Sequence, residues 1–315
     1  MIEHRNLIHL CFWHQRAYAV TAQSRGTLFS GIGFDASIWE ICPYLVFGAS
    51  LYPIPDKMRY DLDQLSMFLI DHSITHSYIP TSLCESFIEE EISLPNLVVL
   101  TGGDVLHLNK STDITIYNNY GPTEITVVAT SYKVKKDRPI KIPIGKPVDN
   151  TKVYIMDERH QSLPIGVVGE LCIGGSGVAR GYLNQEELTK EKFITNPFVV
   201  GERIYKTGDL ARWLADGNIE FIGRKDDQVK IRGYRIELGE IENALSSLEA
   251  VSQCCVLAKE DAGGTKRLVG YVVVEGELNK IDLQEQLKLS LPEYMVPMIW
   301  IELDHMPLTT NGKLD

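Results

Sequence analysis

The sequence has no Cys-x-x-Cys pair, no internal repeat, no low-complexity tract and no apolar run of the roughly 18 residues that would span a bilayer. Its six cysteines are scattered, and the adjacent Cys254-Cys255 falls in an apolar, strand-like run. This usage predicts reduced, mostly buried thiols and a cytoplasmic setting rather than a disulfide framework. The start, Met1-Ile-Glu-His-Arg-Asn-Leu7, carries charges before a short apolar stretch but no small-residue cleavage pattern, which excludes a signal peptide there. Positive charge is also in deficit. Lys and Arg total 31 against 42 Asp and Glu, and the net charge of −11 excludes broad binding to a nucleic-acid polyanion. The basic run Lys133-Val-Lys-Lys-Asp-Arg138 has no interleaved aromatics for base stacking and reads as a solvated loop. His72 and His76 are four apart, but the segment reads as a strand and the other histidines have no ligand spacing, so no metal pair is expected. The glycine-rich Ile173-Gly-Gly-Ser-Gly-Val-Ala-Arg-Gly181 lacks the lysine of a phosphate loop and opens no clear helix, so it reads as a structural turn after a strand.

What is present suits a folded protein of more than one domain. The 315 residues are 44% hydrophobic and 23% charged, enough for a large core and for two or three domains. In the first part, Leu62, Leu65, Phe68 and Leu69 stand at helical spacing. Runs at 74–79, 96–100 and 114–117 read as strands, an alternation that predicts an α/β region with partly parallel strands over 1–139. Short β-rich runs at 152–156, 170–173 and 218–222, separated by Gly and Pro, predict a β-rich subdomain over 140–225. A small α+β lobe follows from 226 to 315. It has a helix carrying Ile241, Ala244, Leu245 and Leu248 on one face, strands at 252–258 and 268–274, and a helix at 283–289.

Several words in the sequence carry chemistry. In Asn118-Asn-Tyr-Gly-Pro-Thr-Glu124 an aromatic face can stack on adenine, an amide can read its exocyclic amine, and Thr with Glu can serve a phosphate and its Mg²⁺. The same word by itself also reads as a Gly-Pro turn with a structural tyrosine. Lys206-Thr-Gly-Asp209 supplies an aspartate that suits either two ribose hydroxyls or a turn before a strand. Phe34-Asp-Ala-Ser-Ile-Trp-Glu40 places a carboxylate in an apolar stretch, where burial demands a cationic partner, although the word also suits a helix N-cap. Gly223-Arg-Lys-Asp-Asp227 sits where the texture changes and reads as a hinge or as a polar linker.

Together with Asn311-Gly-Lys-Leu-Asp315, these words strongly resemble the adenylation domain of nonribosomal peptide synthetases, of the adenylate-forming superfamily. The resemblance covers the whole chain. It implies a large adenylation lobe over 1–225, an α/β and α+β fold, and a small mobile C-terminal lobe over 226–315 that turns about Asp226 and brings Gly233 to the thiol tunnel. By position, Asn118 would bond adenine, Tyr120 would stack on it, Asp209 would take the ribose hydroxyls and Arg224 the ribose or phosphate. Thr123 would hold the α-phosphate, Glu124 would bind Mg²⁺, and Lys313 would bind the substrate carboxylate and α-phosphate. The implied amino-acid pocket is Asp35, Ala36, Trp39, Tyr78, Leu100, Gly102, Asn119, Val127, Val128 and Lys313, with Ser77 as the alternative to Tyr78. Asp35 would pair with the α-ammonium. Between the charges of Asp35 and Lys313 the lining is apolar apart from Asn119, which fits leucine as in pockets of this family and leaves valine, isoleucine, phenylalanine or tyrosine open, because one methylene discriminates by only about 1–3 kcal/mol. ATP, Mg²⁺ and a carrier-borne phosphopantetheine are the implied cofactors. The implied partners are a peptidyl carrier protein, a neighbouring condensation domain and a small activating protein, with neither nucleic acid nor membrane.

The family's Ser/Thr/Gly-rich phosphate loop, ending in Lys-Gly, is expected just before Met1, and its early strands and helices before that. No carrier-protein serine motif or condensation His-His motif occurs. Three readings follow: a synthetase fragment, a degenerate binding module, or an acyl-CoA ligase, which shares the ATP words but needs no ammonium partner at Asp35. Absent large-lobe strands would expose core surface and make the chain poorly soluble or weakly stable.

Overall fold

A computed structural model describes residues 1–135, 141–225, 229–231, 234–248, 250–260, 266–274 and 279–307, the side chains of Lys230 and Arg235 excepted. The chain divides into two compact units, Met1–Lys225 and Asp226–Asp315.

The first unit opens with α1 (His4–Ala17), β1 (Arg25–Leu28), α2 (Asp35–Val46), β2 (Ser50–Pro53), α3 (Leu62–Asp71), β3 (His76–Tyr78) and α4 (Thr81–Glu89). Four further strands complete its larger sheet: β4 (Val98–Gly102), β5 (Thr115–Tyr120), β6 (Thr130–Lys133) and β7 (Lys146–Pro147). The spatial order is β2-β1-β3-β4-β5-β6-β7. The strands from β2 to β5 are parallel, while β6 and β7 add antiparallel edges. A parallel sheet needs cover on both faces, and strand alternation divides the side chains accordingly. Val99 and Ile116 point into a core with Leu65, Leu69, Leu83 and Phe87 of α3 and α4. Their neighbours Leu100 and Tyr117 join the opposite core, with Leu10 and Trp13 of α1 and Trp39 and Tyr44 of α2.

The β-rich part contains β8 (Thr151–Met156), β9 (Gly169–Gly175), α5 (Glu186–Lys192), β10 (Phe193–Thr195), β11 (Arg203–Trp213) and β12 (Ile219–Arg224). It is an antiparallel sheet of order β10-β11-β9-β8, with β12 paired to β11. A bridge between Gly145 and Ile219 ties it to the larger sheet.

The second unit holds the hairpin β13 (Val229–Ile231) and β14 (Tyr234–Ile236), then α6 (Leu238–Ser246), β15 (Val251–Glu260), β16 (Lys266–Val274), α7 (Lys280–Lys288) and β17 (Ile299–Glu302). β15, β16 and β17 form a three-stranded sheet. Ile241 and Leu245 of α6 and Leu283 and Leu287 of α7 close its core with Val256, Val272 and Trp300. Gly270 is required here, because a Cβ would lie 2.6 Å from the Trp300 ring.

The periodic segments are where the pattern puts them, but boundaries move. β5 runs on to Tyr120, so the two asparagines and the tyrosine lie on a strand and only Gly121-Pro122 turns. β3 is shorter than the run at 74–79. Among the described residues, no helix is long and apolar enough to cross a membrane.

Candidate active site

Ligands of open parallel sheets bind beyond the carboxyl ends of the strands, and the singled-out residues gather at those ends. β3 ends at Tyr78, β4 carries Leu100 and Gly102, and β5 carries Asn118, Asn119 and Tyr120. Gly102 stands opposite Asn119, and a Cβ on it would lie 2.1 Å from the Asn119 carbonyl oxygen. Only glycine lets the two strands run this closely.

The apolar lining is one body. Trp39, Leu100 and Val128 are buried in a single cluster, with Tyr78 and Val127 partly buried against it. Ala36 is buried on α2. Tyr78 packs against Trp39 at 5.8 Å between ring centroids, whereas Ser77 is buried and bonded to Thr27 Oγ1 at 2.8 Å. Asn119 is 5% exposed and heavily engaged. Its Oδ1 accepts from the Tyr18 hydroxyl at 2.6 Å, and its Nδ2 donates to the carbonyls of Tyr117 at 3.0 Å and Thr101 at 3.3 Å.

Asp35 is the first residue of α2, with Phe34 rather than Asp35 as the N-cap. The reading of Asp35 as the buried carboxylate of this word needs correction. Asp35 is half-buried, and the buried acid is Glu40, which accepts from the amides of Phe29 at 2.6 Å and Ser30 at 2.8 Å. Burial pushes Glu40 up to about 7 despite those amides. Asp35 Oδ2 accepts a hydrogen bond from Thr123 Oγ1 at 2.5 Å, across 88 residues of sequence.

Thr123 and Glu124 lie in a short 3-10 turn, Thr123–Ile125. Glu124 Oε1 accepts from two phenols, Tyr182 at 2.6 Å and Tyr205 at 2.8 Å. Burial, then the Glu124 carboxylate, pushes the Tyr182 phenol far up, so it acts only as a neutral donor. After the turn, Thr126 and Val127 adopt φ of 60° and 69°. Left-handed backbone is costly for β-branched residues, of order 1–3 kcal/mol each. The Val128 amide bonds the Thr126 carbonyl at 2.9 Å, Thr126 Oγ1 bonds the Gly177 carbonyl at 2.8 Å, and the Ala179 amide bonds the Glu124 carbonyl at 2.8 Å. The glycine-rich segment therefore serves as a buttress. A Cβ on Gly177 would lie 2.6 Å from the Ile125 carbonyl oxygen.

Asp209 and Arg224 are opposite each other in the β11–β12 pairing, which makes their 2.7 Å ion pair a cross-strand contact. Asp209 is 3% exposed, and its other oxygen accepts from the Tyr120 hydroxyl. Tyr120 is buried as well, and its ring lies tilted against Phe221 at 6.3 Å between centroids. Asn118 Nδ2 is tied to the Pro143 carbonyl at 2.9 Å, which leaves its oxygen as the end suited to an amine N–H. Lys313, Asp226 and Gly233 lie outside the described residues, as do 136–138 of the basic run.

The donor set fits a nucleotide with its metal. A carboxylate has about four lone-pair positions, so Asp209 can hold Tyr120 and Arg224 and still accept ribose hydroxyls. Among the described residues there is no cluster of three metal-binding side chains. A single Glu124 suits Mg²⁺ carried mainly by phosphates, and not a protein-built cage.

Residues 1–183 match the AMP-binding enzyme family, and residues 240–313 match the AMP-binding enzyme C-terminal domain. The chain belongs to the AMP-binding enzyme family. Bacitracin synthase 1 of Bacillus licheniformis is 50% identical to this AMP-binding enzyme over 316 residues, covering 100% of the chain and 6% of that protein. Among solved structures, holo-PA1221, an NRPS protein containing adenylation and PCP domains, is similar at a TM-score of 0.84 and 29% identity, over 98% of this chain and 55% of that one. The Vibrio cholerae adenylation domain AlmE, in complex with glycyl-adenosine-5'-phosphate, gives 0.87 and 25% over 99% and 61%. The kinship is with nonribosomal peptide synthetase adenylation domains, and the chain spans about 6% of the length of the curated relative it matches.

Tyr18, Tyr182, Tyr205 and Glu40 escaped the sequence reading. The three tyrosines are ordinary residue types for a core, and Tyr18 and Tyr205 meet their partners 101 and 81 residues away. The one local signal was Glu40, an acid within a helix that is otherwise largely apolar.

Proposed function

We propose that this AMP-binding enzyme activates an apolar amino acid of about leucine's size as its aminoacyl-AMP and passes the acyl group to the phosphopantetheine thiol of a peptidyl carrier protein. The observation that carries the reading is the Thr123–Asp35 hydrogen bond. It joins the residue suited to a substrate ammonium to the residue suited to an α-phosphate, so the two substrates would meet at one place. Adenylation needs that meeting: a carboxylate oxygen attacks the α-phosphorus, and pyrophosphate leaves. Alignment and fixed charge supply most of the rate.

Asp35 holds the ammonium, and Trp39, Tyr78, Leu100 and Val128 enclose the side chain. Asp209 fixes the ribose, Arg224 orients Asp209 through their 2.7 Å ion pair, and Thr123 holds the α-phosphate. Glu124 would hold Mg²⁺, which when bound would neutralise charge on the phosphates. Lys313 is assigned to the carboxylate and α-phosphate, and Asp226 to the hinge. A condensation domain and a small activating protein are the further proposed partners.

ATP–pyrophosphate exchange with a panel of amino acids tests this. Exchange strongest with leucine and lost in Asp35→Ala is expected. Exchange with fatty acids instead, unaffected by Asp35→Ala, contradicts it.

A further inference from the structure

Tyr18 sits at the end of α1 and on no wall assigned to the pocket, yet it holds Asn119, the strongly polar side chain between the pocket's end charges. It caps α1, its carbonyl oxygen lies 2.9 Å from His76 Nε2, and its ring packs edge-on against Trp13, His14 and Tyr117 at 5.3, 4.7 and 4.8 Å. These contacts leave the ring little freedom. Its hydroxyl donates to Asn119 Oδ1 at 2.6 Å and lies 3.3 Å from Ser131 Oγ. Burial pushes the phenol far up, so it remains a donor throughout the working pH range. Asn119 Nδ2 has both hydrogens on strand carbonyls. With Tyr18 on the oxygen, the amide is held at both ends, and turning it toward a substrate would break three bonds.

We infer that Tyr18 is a selectivity-setting positioning residue: its hydroxyl locks the Asn119 amide against the sheet and thereby makes the amino-acid pocket read as apolar. Asn119 on its own would favour a side chain that hydrogen-bonds. Held by Tyr18 at its oxygen and by the Thr101 and Tyr117 carbonyls at its N–H groups, it contributes shape alone. This rests on the pocket proposed above. Without the Tyr18 hydroxyl, Asn119 Oδ1 becomes a buried acceptor short of a donor, and a substrate amide or hydroxyl can satisfy it.

Leucine and asparagine are near-isosteric and differ in that capacity. The test is the leucine-to-asparagine ratio of kcat/KM in ATP–pyrophosphate exchange by the full chain, for Tyr18→Phe, Asn119→Leu and the double variant, with thermal melts alongside. Tyr18→Phe keeps the ring contacts and is expected to lower the ratio about tenfold. In the Asn119→Leu background the same change is expected to leave the ratio unmoved. A merely structural Tyr18 would lower all rates together and leave the ratio alone, and that result overturns the inference. If Asn119→Leu itself leaves the amino-acid profile unchanged, the pocket reading fails and takes the inference with it. Should Tyr18→Phe lose its cooperative melt, Ser131→Ala, which removes only the second neighbour of the hydroxyl, carries the test. A drop of about twofold supports the inference, and no drop overturns it.

Discussion

Asp209 and Glu40 are both buried carboxylates, held in different ways. Asp209 has a cation, Arg224, at 2.7 Å, and Glu40 has backbone amides. Removing one partner of a buried ion pair costs about 3–5 kcal/mol, because the other charge is left uncompensated. Arg224→Ala is therefore expected to lower the urea midpoint markedly, and Arg224→Ala with Asp209→Asn to recover much of the loss. No recovery would show that Arg224 acts through something other than this pair. For Glu40 the prediction concerns pH. Its folded value of about 7 lies above the ordinary 4.5, so the folded state holds the proton more tightly. The resulting stabilisation is complete below about pH 4.5 and is lost as pH rises through 7. The wild type minus Glu40→Gln difference in unfolding free energy should fall across that window. A flat difference contradicts it.

At the scale of elements, the site depends on strands that end together and run close. β4 and β5 approach at Gly102 and Asn119 too closely for any Cβ. Gly102→Ala should cost about 1–3 kcal/mol or more through overpacking and should weaken amino-acid selectivity, read by urea unfolding and by exchange. Wild-type stability in that variant would show that the strands separate freely. The elements also explain what could be read in advance. Helices α3 and α6 and strands β4 and β16 announce themselves by period, and the site words by their local chemistry. The Tyr18–Asn119 and Tyr205–Glu124 contacts have no local signature, since topology alone brings those residues together. The same holds for the left-handed Thr126 and Val127, whose β-branched side chains argue against the very backbone they adopt.

In the molecule as a whole, each unit has its own hydrophobic core. The first unit also leaves apolar side chains in water: Ile8 and Phe12 of α1 and Leu45 and Val46 of α2 are all exposed. Such surface favours association. The chain is expected to scatter light increasingly with concentration, and Ile8→Lys with Phe12→Lys to suppress this without lowering the melting temperature. Monomeric behaviour of the wild type at high concentration would contradict that reading. Leucine-dependent ATP–pyrophosphate exchange tests whether Asp35 and Thr123 bring an amino acid and ATP to one place. Wild type is measured beside Asp35→Ala and Lys313→Ala. Exchange in the wild type and its loss in both variants are expected, with each still folded. Exchange that persists in Asp35→Ala, or none in a folded wild type with any amino acid, contradicts it.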